Sequence, residues 1–307
     1  MELYLPIAEL PVNVLLIFAM GASVGFISGL FGVGGGFLLT PLLIFSGIPS
    51  AVAVATVTAQ VVASSASGTL TYWKRGQLDV KLGVVLMSAG IVGSTVGVFV
   101  FRELRSLGQL DLIISLSYVV FLSTIGSLML FEAVRSILNK RRGIAISIRR
   151  PGQHNWVHGL PFKMRFKKSK LYVSVLPVFF LGSMIGFLGT VLGIGGGFIM
   201  VPALIYLLRV PTSVVIGTSL FQILATMMVA TVLHSVANQT VDVVLALILM
   251  IGGTMGAQLG AQAGQKLHGE QLRAMLGLLV LAVGLRFAFN LIIKPDEIFS
   301  VAPLVLQ

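Results

Sequence analysis

Apolar runs recur along the whole chain, separated by short stretches that contain charged residues, glycine or proline. A continuous apolar segment of about 20 residues crosses the bilayer core as a helix. The pattern therefore predicts ten helices, in two sets of five that flank a polar segment at residues 138–170. The predicted helices are 11–31, 35–48, 50–73, 79–101 and 108–137 in the first set, and 171–192, 196–208, 211–235, 241–265 and 270–293 in the second.

The two sets of helices share an internal repeat. Residues 25–41 read GFISGLFGVGGGFLLTP and residues 186–202 read GFLGTVLGIGGGFIMVP, so eight of 17 positions are identical at an offset of 161. Further along, Gln60 aligns with Gln222 and Asp79 with Asp242. Because five is an odd number of crossings, the second half must run through the membrane upside down. The sequence thus predicts an all-α membrane protein of two inverted five-helix repeats, at residues 1–137 and 171–307.

Composition agrees with a membrane protein and excludes a soluble one. Hydrophobic residues make up 56% of the chain and charged residues 10%, whereas a soluble domain has roughly 25% charged residues. The chain has no cysteine, so thiolate metal sites, iron–sulfur clusters and disulfides are excluded. The remaining residue types offer no clustered metal ligands and no fuel-binding motif, so we expect no metal, no cofactor and no enzymatic activity.

The net charge of +11 comes mainly from one segment. Ten of the 21 Lys and Arg residues lie between positions 138 and 170, with no acidic residue among them. This distribution is typical of a cytoplasmic loop under the positive-inside rule rather than of a nucleic-acid-binding surface. Binding of lipid headgroups or of a partner is the alternative. With alternating sides, 17 cations fall inside and four outside, which predicts that both termini are outside.

The basic loop contains two short stretches with alternating apolar and other residues. Ile144, Ile146 and Ile148 alternate in one, and Phe162, Met164 and Phe166 alternate with Lys and Arg in the other. A turn-prone RRPGQHN segment lies between them. A period of two on each side of a turn predicts a β-hairpin. We expect this hairpin near the cytoplasmic membrane surface.

Two glycine clusters carry the first candidate chemistry. GVGGG at 32–36 and GIGGG at 193–197 each precede an apolar stretch of about 13 residues, roughly 20 Å of helix, which is shorter than the membrane core. A helix that starts inside the membrane presents free N–H groups and a positive dipole end, which bind anions. We therefore predict an anion between Gly34–Gly36 and Gly195–Gly197. A tight turn that needs positive φ is the alternative.

A polar stripe follows each glycine cluster. Its members that we predict to bind substrate are Thr56, Gln60, Thr218, Ser219 and Gln222. Thr56 and Gln60 are spaced i, i+4, as are Thr218 and Gln222, so each pair shares one helix face. A buried amide costs about 1 to 3 kcal/mol when unpaired. Each glutamine must therefore bond either a substrate or a neighbouring helix, and the sequence leaves both open.

No Asp, Glu or Lys lies in the middle of any predicted span. Asp79 and Asp242 stand where helices begin and are predicted to be N-caps. Arg286 lies within the last helix and either snorkels outward or contacts the anion. His234, near a helix end, is predicted to hydrogen-bond at the interface. An intramembrane hydrolase centred on Ser67 lacks a histidine at a matching depth.

These motifs together resemble the sulfite exporter TauE/SafE family, also called the TSUP permeases. The resemblance is carried by the duplicated GxGGGxxxxP segment, by TSLFQ at 218–222 and by the glycine-rich fourth and ninth helices. It departs at 56–60, where TVTAQ replaces a TSLFQ-like run. It implies export of sulfite, organosulfonates or other small anions across a bacterial inner membrane. A carboxylate carrier or an anion channel is the alternative.

Overall fold

The computed structural model describes residues 2–31, 34–141, 162–166, 168–169, 171–208, 210–264 and 269–292. Within them the chain forms ten α-helices and two antiparallel β-hairpins. The helices of the first half are α1 (Val14–Phe31), α2 (Gly36–Phe45), α3 (Ser50–Lys74), α4 (Val80–Ser106) and α5 (Leu110–Arg141). Those of the second half are α6 (Val175–Leu192), α7 (Gly197–Tyr206), α8 (Thr212–Leu233), α9 (Val243–Gly264) and α10 (Gly269–Ile292).

Seven of the described helices are long and apolar enough to cross a membrane. These are α3, α4, α5, α6, α8, α9 and α10, with α8 continued by a π-helical turn at His234–Asn238. The α2 and α7 helices have ten residues each, or about 15 Å at 1.5 Å per residue. They are too short to span the bilayer core, as the glycine clusters predicted. The chain is a multi-pass membrane protein.

The two hairpins correct the predicted helix starts. Strands β1 (Glu2–Leu5) and β2 (Leu10–Asn13) precede α1, and strands β3 (Lys163–Phe166) and β4 (Leu171–Ser174) precede α6. Residues 11–13 and 171–174 are therefore strand, not helix. The predicted strand at 162–166 is confirmed over Lys163–Phe166, which pairs with β4. The predicted partner stretch at 144–148 lies outside the described residues. Phe166 is fully buried in a cluster with Val173 of β4 and with residues of α4 and α6.

Each half of the chain packs mainly against the other half. The closest helix pairs are α1 with α9, α4 with α6, α5 with α10 and α3 with α8. At the offset of the repeat, α1 corresponds to α6 and α4 to α9, so the first two pairs are equivalent. The other two pairs join a helix to its own counterpart. α3 and α8 are among the most buried of the spans and α5 and α10 are the least buried, so α3 and α8 form the centre.

Repeated glycines bring these helix pairs together. A Cβ on Gly25 would overlap the Gly253 backbone of α9, and a Cβ on Gly186 would overlap the Gly90 backbone of α4. Gly93 and Gly256 likewise lie directly on carbonyl oxygens of α6 and α1. Small residues permit this approach where lipid supplies no hydrophobic drive between helices. The glycines of α1, α4, α6 and α9 therefore serve helix packing.

Both predicted N-caps are confirmed. The Asp79 carboxylate accepts from the Leu82 N–H at 3.3 Å, and the Asp242 carboxylate accepts from the Val244 and Leu245 N–H groups at 3.1 Å. Both side chains are buried. Asp79 precedes the start of α4 and Asp242 precedes the start of α9.

Candidate functional site

The two glycine breaks meet inside the protein. The N-terminus of α2 at Gly36 lies against Gly193 and Ile194 of the second break, and the Thr40 hydroxyl donates to the Gly193 carbonyl at 3.3 Å. The rings of Phe37 and Phe198 stack with centroids 4.7 Å apart. The described glycines of both breaks are buried. The predicted convergence of the two short helices is thus present.

The breaks place backbone donors at the starts of two helices. The first N–H groups that bond within α2 are those of Leu38 and Leu39, to Gly35, and within α7 those of Ile199 and Met200, to Gly196. The N–H groups of residues 36–37 and 197–198 precede them and therefore have no partner within their own helix. These donors stand at the positive ends of two helix dipoles. Such a pair of helix ends attracts an anion without any cationic side chain.

Both glutamines lie at the depth of the breaks. Gly36 begins the ten-residue α2, whose other end connects to the start of α3, and Gln60 is ten residues along α3. Each is therefore about 15 Å from the same end of the bundle. Gln222 is likewise ten residues along α8. Thr58 of α3 contacts Thr231 of α8 at 2.8 Å, and Gly68, farther along α3, packs on Leu220, nearer the start of α8. The two helices are therefore antiparallel and bring the two glutamines in from opposite ends.

The glutamine amides are buried and incompletely paired. Gln60 and Gln222 are each 1% exposed. Three of the four amide atoms have no hydrogen-bond partner among the described residues: Nε2 and Oε1 of Gln60, and Oε1 of Gln222. Gln222 Nε2 donates to the Thr226 hydroxyl at 3.1 Å. Gln60 packs on Gly253 and Gln222 on Gly90, where a Cβ would overlap the amide. Unpaired buried amides of this kind favour a bound ligand.

The hydroxyls of the predicted site have other partners. Thr56 Oγ1 accepts from the Asp242 N–H at 3.1 Å, and Thr218 Oγ1 accepts from the Asp79 N–H at 3.1 Å. The Ser219 hydroxyl donates to the Ile216 carbonyl of its own helix at 2.9 Å. All three residues are fully buried. Thr56 and Thr218 thus link helices of the two halves, and their contact with a substrate stays a prediction.

The two glycine breaks differ in the space beside them. Gly34 and Gly195 both have positive φ, +75° and +74°. A Cβ on Gly195 would lie 2.7 Å from Val61, the residue next to Gln60, whereas a Cβ on Gly34 would have no described atom within 4 Å. Positive φ alone would account for glycine at both positions. Among the described residues, the second break lies directly against α3, and no neighbour lies against Gly34 in this way.

Sequence reasoning missed the residues that brace the breaks. Tyr118 of α5 is fully buried, and its hydroxyl donates to the Leu192 carbonyl at 2.7 Å, at the end of α6. Thr40 and the Phe37–Phe198 pair complete this support. The two phenylalanines follow the glycines at identical repeat positions, a signal that could have indicated their stacking. Nothing local to Tyr118 marks its partner, which is 74 residues away.

His234 and Arg286 have structural partners of their own. His234 is fully buried; its Nε2 lies 3.4 Å from the Thr190 carbonyl and its Nδ1 lies 2.9 Å from the Asn238 amide. A carbonyl only accepts, so Nε2 carries the hydrogen and Nδ1 accepts from Asn238. The hydrogen-bonding role is confirmed, but the ring is not at an exposed interface. Arg286 is exposed, with its guanidinium carbon 4.4 Å from the centroid of the Phe45 ring.

Comparison with known proteins assigns the family. Residues 17–287 match the family described as "Sulfite exporter TauE/SafE". This chain belongs to the TauE/SafE family. The chain is 27% identical to "Probable membrane transporter protein YunE" of Bacillus subtilis (strain 168), over 90% of this chain and 97% of that protein. It is 30% identical to a "Probable membrane transporter protein" of Xylella fastidiosa (strain 9a5c), over 86% and 91%.

A plant relative aligns with a shorter part of this chain. "Sulfite exporter TauE/SafE family protein 3" of Arabidopsis thaliana is 33% identical over 34% of this chain and 22% of that protein. No solved structure matches the chain. The family is one of membrane transporters, in agreement with the multi-pass fold. The choice of substrate therefore depends on the chemistry of the site.

Proposed function

We propose that this TauE/SafE chain is a secondary transporter that exports small oxyanions, with sulfite and organosulfonates as the preferred substrates. The observation that carries the proposal is the pair of buried glutamine amides, Gln60 and Gln222, with atoms left unpaired. They stand at the depth where two helix N-termini present free N–H groups. A ligand in this position gains hydrogen bonds from both halves of the chain. Gly34–Gly36, Gly195–Gly197, Thr56, Thr218 and Ser219 complete the proposed site.

An anion suits these donors better than a cation or an apolar ligand. Free N–H groups and amide N–H groups donate, and the helix dipoles add positive potential. An oxyanion has several acceptor oxygens close together, so it can accept hydrogen bonds from donors on different helices at once. A carboxylate shares this chemistry, so small carboxylates are the second substrate class to test.

We also propose that the halves are inverted repeats and that both termini are periplasmic, in a bacterial inner membrane. The exchange of equivalent helix pairs between the halves supports a two-fold relation. The two equivalent hairpins differ in charge: the first contains Glu2 and Glu9 and no cation, and the second contains five cations and no acid. The positive-inside rule then assigns the second hairpin to the cytoplasm.

Cysteine labelling tests this orientation without background, because the chain has no native cysteine. Glu9→Cys and Lys163→Cys each place one exposed thiol in one hairpin. In intact spheroplasts a membrane-impermeant maleimide should label Glu9→Cys and leave Lys163→Cys unmodified until the membrane is opened. Labelling of both thiols, or of Lys163→Cys alone, from the outside would contradict the proposed orientation.

Flux into proteoliposomes tests the function. Purified protein should take up labelled sulfite with saturation, and a trapped internal pool of sulfite should accelerate this uptake by counterflow. Thiosulfate, sulfoacetate, taurine and small carboxylates, added as competitors, would rank the substrate classes. Saturation without counterflow acceleration would favour a channel. Uptake no faster than in empty liposomes for every anion in the panel would overturn the proposal.

A further inference from the structure

The two surface hairpins are equivalent parts of the repeat. Each immediately precedes the first helix of its half. At the offset of 161, Leu10, Val12, Val14 and Leu15 recur as Leu171, Val173, Val175 and Leu176. The repeat therefore includes the hairpins as well as the helices. A feature that both hairpins share is a property of the architecture and not of one loop.

The hairpins lie at opposite ends of α3. The turn of the first hairpin, at Ile7–Glu9, lines a cleft together with Pro49–Val52, where α3 starts. In the turn of the second, the Lys168 ammonium donates to the Gly76 carbonyl at 3.3 Å, just beyond the end of α3. The α3 helix has 25 residues, about 37 Å. The hairpins therefore cover the two ends of the bundle.

One buried aspartate of the opposite half holds each hairpin turn. Asp242 accepts from the Ile7 N–H at 3.0 Å. Asp79 accepts from the Ser169 N–H at 2.8 Å and from the Ser169 hydroxyl at 2.7 Å. In each case one carboxylate oxygen caps a helix and the other bonds the hairpin. The N-cap role explains only the first of these oxygens.

The same two aspartates connect to the helices that carry the glutamines. The Asp242 N–H bonds Thr56, one helical turn before Gln60, and the Asp79 N–H bonds Thr218, one turn before Gln222. The α9 helix that starts at Asp242 also packs its Gly253 on Gln60, and the α4 helix that starts at Asp79 packs its Gly90 on Gln222. Displacement of either helix therefore moves one hairpin contact and one glutamine contact together.

The first hairpin covers an opening. Its turn and the start of α3 enclose a cleft of about 340 Å³, with Arg105 and Asp111 on the facing side. Ser50, at the start of α3, bonds Asp111 there. Gln60 lies ten residues farther along α3, about 15 Å below the cleft. A small anion would fit the cleft, which lies on the same helix as Gln60.

We propose that each hairpin is the gate at its end of the protein. Asp242 and Asp79 are positioning residues: each holds one hairpin in place and fixes the helix that packs on one glutamine, α9 on Gln60 and α4 on Gln222. This inference rests on the proposed function. Both aspartate–hairpin bonds are formed here, which in this proposal is the closed state of each gate. Transport then requires each bond to break in turn while the other holds, which is how alternating access avoids an open pore.

Reversible cross-linking tests the gates without changing either aspartate. Glu9→Cys with Ala51→Cys joins the first hairpin to α3 across the cleft, and Lys168→Cys with Gln77→Cys joins the second hairpin to the α3–α4 connection. A short bis-methanethiosulfonate reagent should reduce sulfite flux at least tenfold in either pair, and dithiothreitol should restore it. The four single variants, treated in the same way, are the controls.

The cross-linking result separates this inference from the proposed function. Failure of the function leaves the untreated protein without flux. Failure of the gates leaves flux in both complete cross-linked pairs equal to that of the controls. Loss of flux in only one pair would also overturn the two-gate proposal, because both ends must open in each cycle.

Side-specific accessibility tests the aspartates as positioning residues. Ser64→Cys places a reporter thiol on the buried face of α3, one turn beyond Gln60. Asp242→Asn should make an impermeant reagent modify the Ser64→Cys thiol about tenfold faster, from the first-hairpin side only. Asp79→Asn should do so from the other side only. Tenfold corresponds to a loss of about 1.4 kcal/mol from the free energy that favours the closed gate. Equal increases from both sides would indicate general loosening and overturn the assignment.

Discussion

Replacement of Gln60 and Gln222 together by leucine should abolish saturable sulfite transport. Leucine keeps most of the side-chain volume but has no N–H to offer an anion. Loss of one hydrogen bond to a charged ligand costs about 1 to 3 kcal/mol, so each single variant should bind sulfite about 5- to 150-fold more weakly. Because both glutamines bond the same anion in the proposed site, the two losses are coupled, and the double variant should lose saturable binding altogether. The readout is KM and maximal flux in proteoliposomes.

The thermal stability of the same variants should move in the opposite direction. The substrate-free protein contains buried amide atoms without partners, and an apolar replacement removes their desolvation cost. Gln60→Leu should therefore melt at or above the temperature of the unaltered protein when no anion is present. Gln222→Leu also loses its bond to Thr226, so its melting temperature should stay about the same. Gln109→Leu, at an exposed position between α4 and α5, is the matched control for both measurements.

Two outcomes would contradict this account of the glutamines. Unaltered KM and flux in both single variants would exclude contact with substrate. A clear drop in melting temperature in both would show that the amides bond neighbouring helices, the alternative that the sequence left open. The combination of weaker binding with undiminished stability is specific to a ligand-binding amide.

Alanine at Gly93 or Gly256 should prevent the native packing of the helices. A Cβ on Gly93 would overlap the Ser183 carbonyl oxygen, and a Cβ on Gly256 would overlap that of Ala22. Both neighbours are helix backbone, which cannot turn aside as a side chain can. We expect destabilisation of more than about 3 kcal/mol, at the upper end of overpacking effects. Gel filtration and thermal unfolding in detergent are the measurements.

Gly97→Ala is the matched control on the same helix. Its Cβ would lie 3.1 Å from the Phe187 carbonyl oxygen, a contact that a shift of a few tenths of an ångström relieves. The control should remain monodisperse and lose far less stability than Gly93→Ala. Equal melting temperatures for Gly93→Ala and Gly97→Ala would show that the close α4–α6 approach does not determine stability.

The helices and the glycine breaks could be predicted because their signals are local. Apolar runs of span length follow directly from the bilayer thickness, and the duplicated GxGGG segments mark the interruptions before any contact is known. The depth shared by Gly36 and Gln60 also follows from counting residues along α2 and α3. Gln60 and Gln222 stood out because an amide in an apolar run needs a partner somewhere.

The hairpins could not be predicted in the same way because tertiary contacts determine them. Strands of four residues carry little pattern. The pairing of Lys163–Phe166 with β4 involves burial of Phe166 and the hydrogen bonds that Ser169 donates to Asp79. The recurrence of Leu10 and Val12 as Leu171 and Val173 could have indicated β4. The bonds of Thr56 and Thr218 span 186 and 139 residues, a separation at which the sequence carries no pairing signal.

Anomalous scattering from a bound selenium oxyanion tests the central claim most directly. Selenite has the shape and charge of sulfite, and its selenium atom locates the ligand independently of the protein density. Crystals grown with selenite should show a peak within hydrogen-bond distance of the Gln60 or Gln222 amide and of the N–H groups at the start of α2 or α7, and excess sulfite should displace it. A sulfite-displaceable peak elsewhere, with none at the glutamines, would contradict the proposed site.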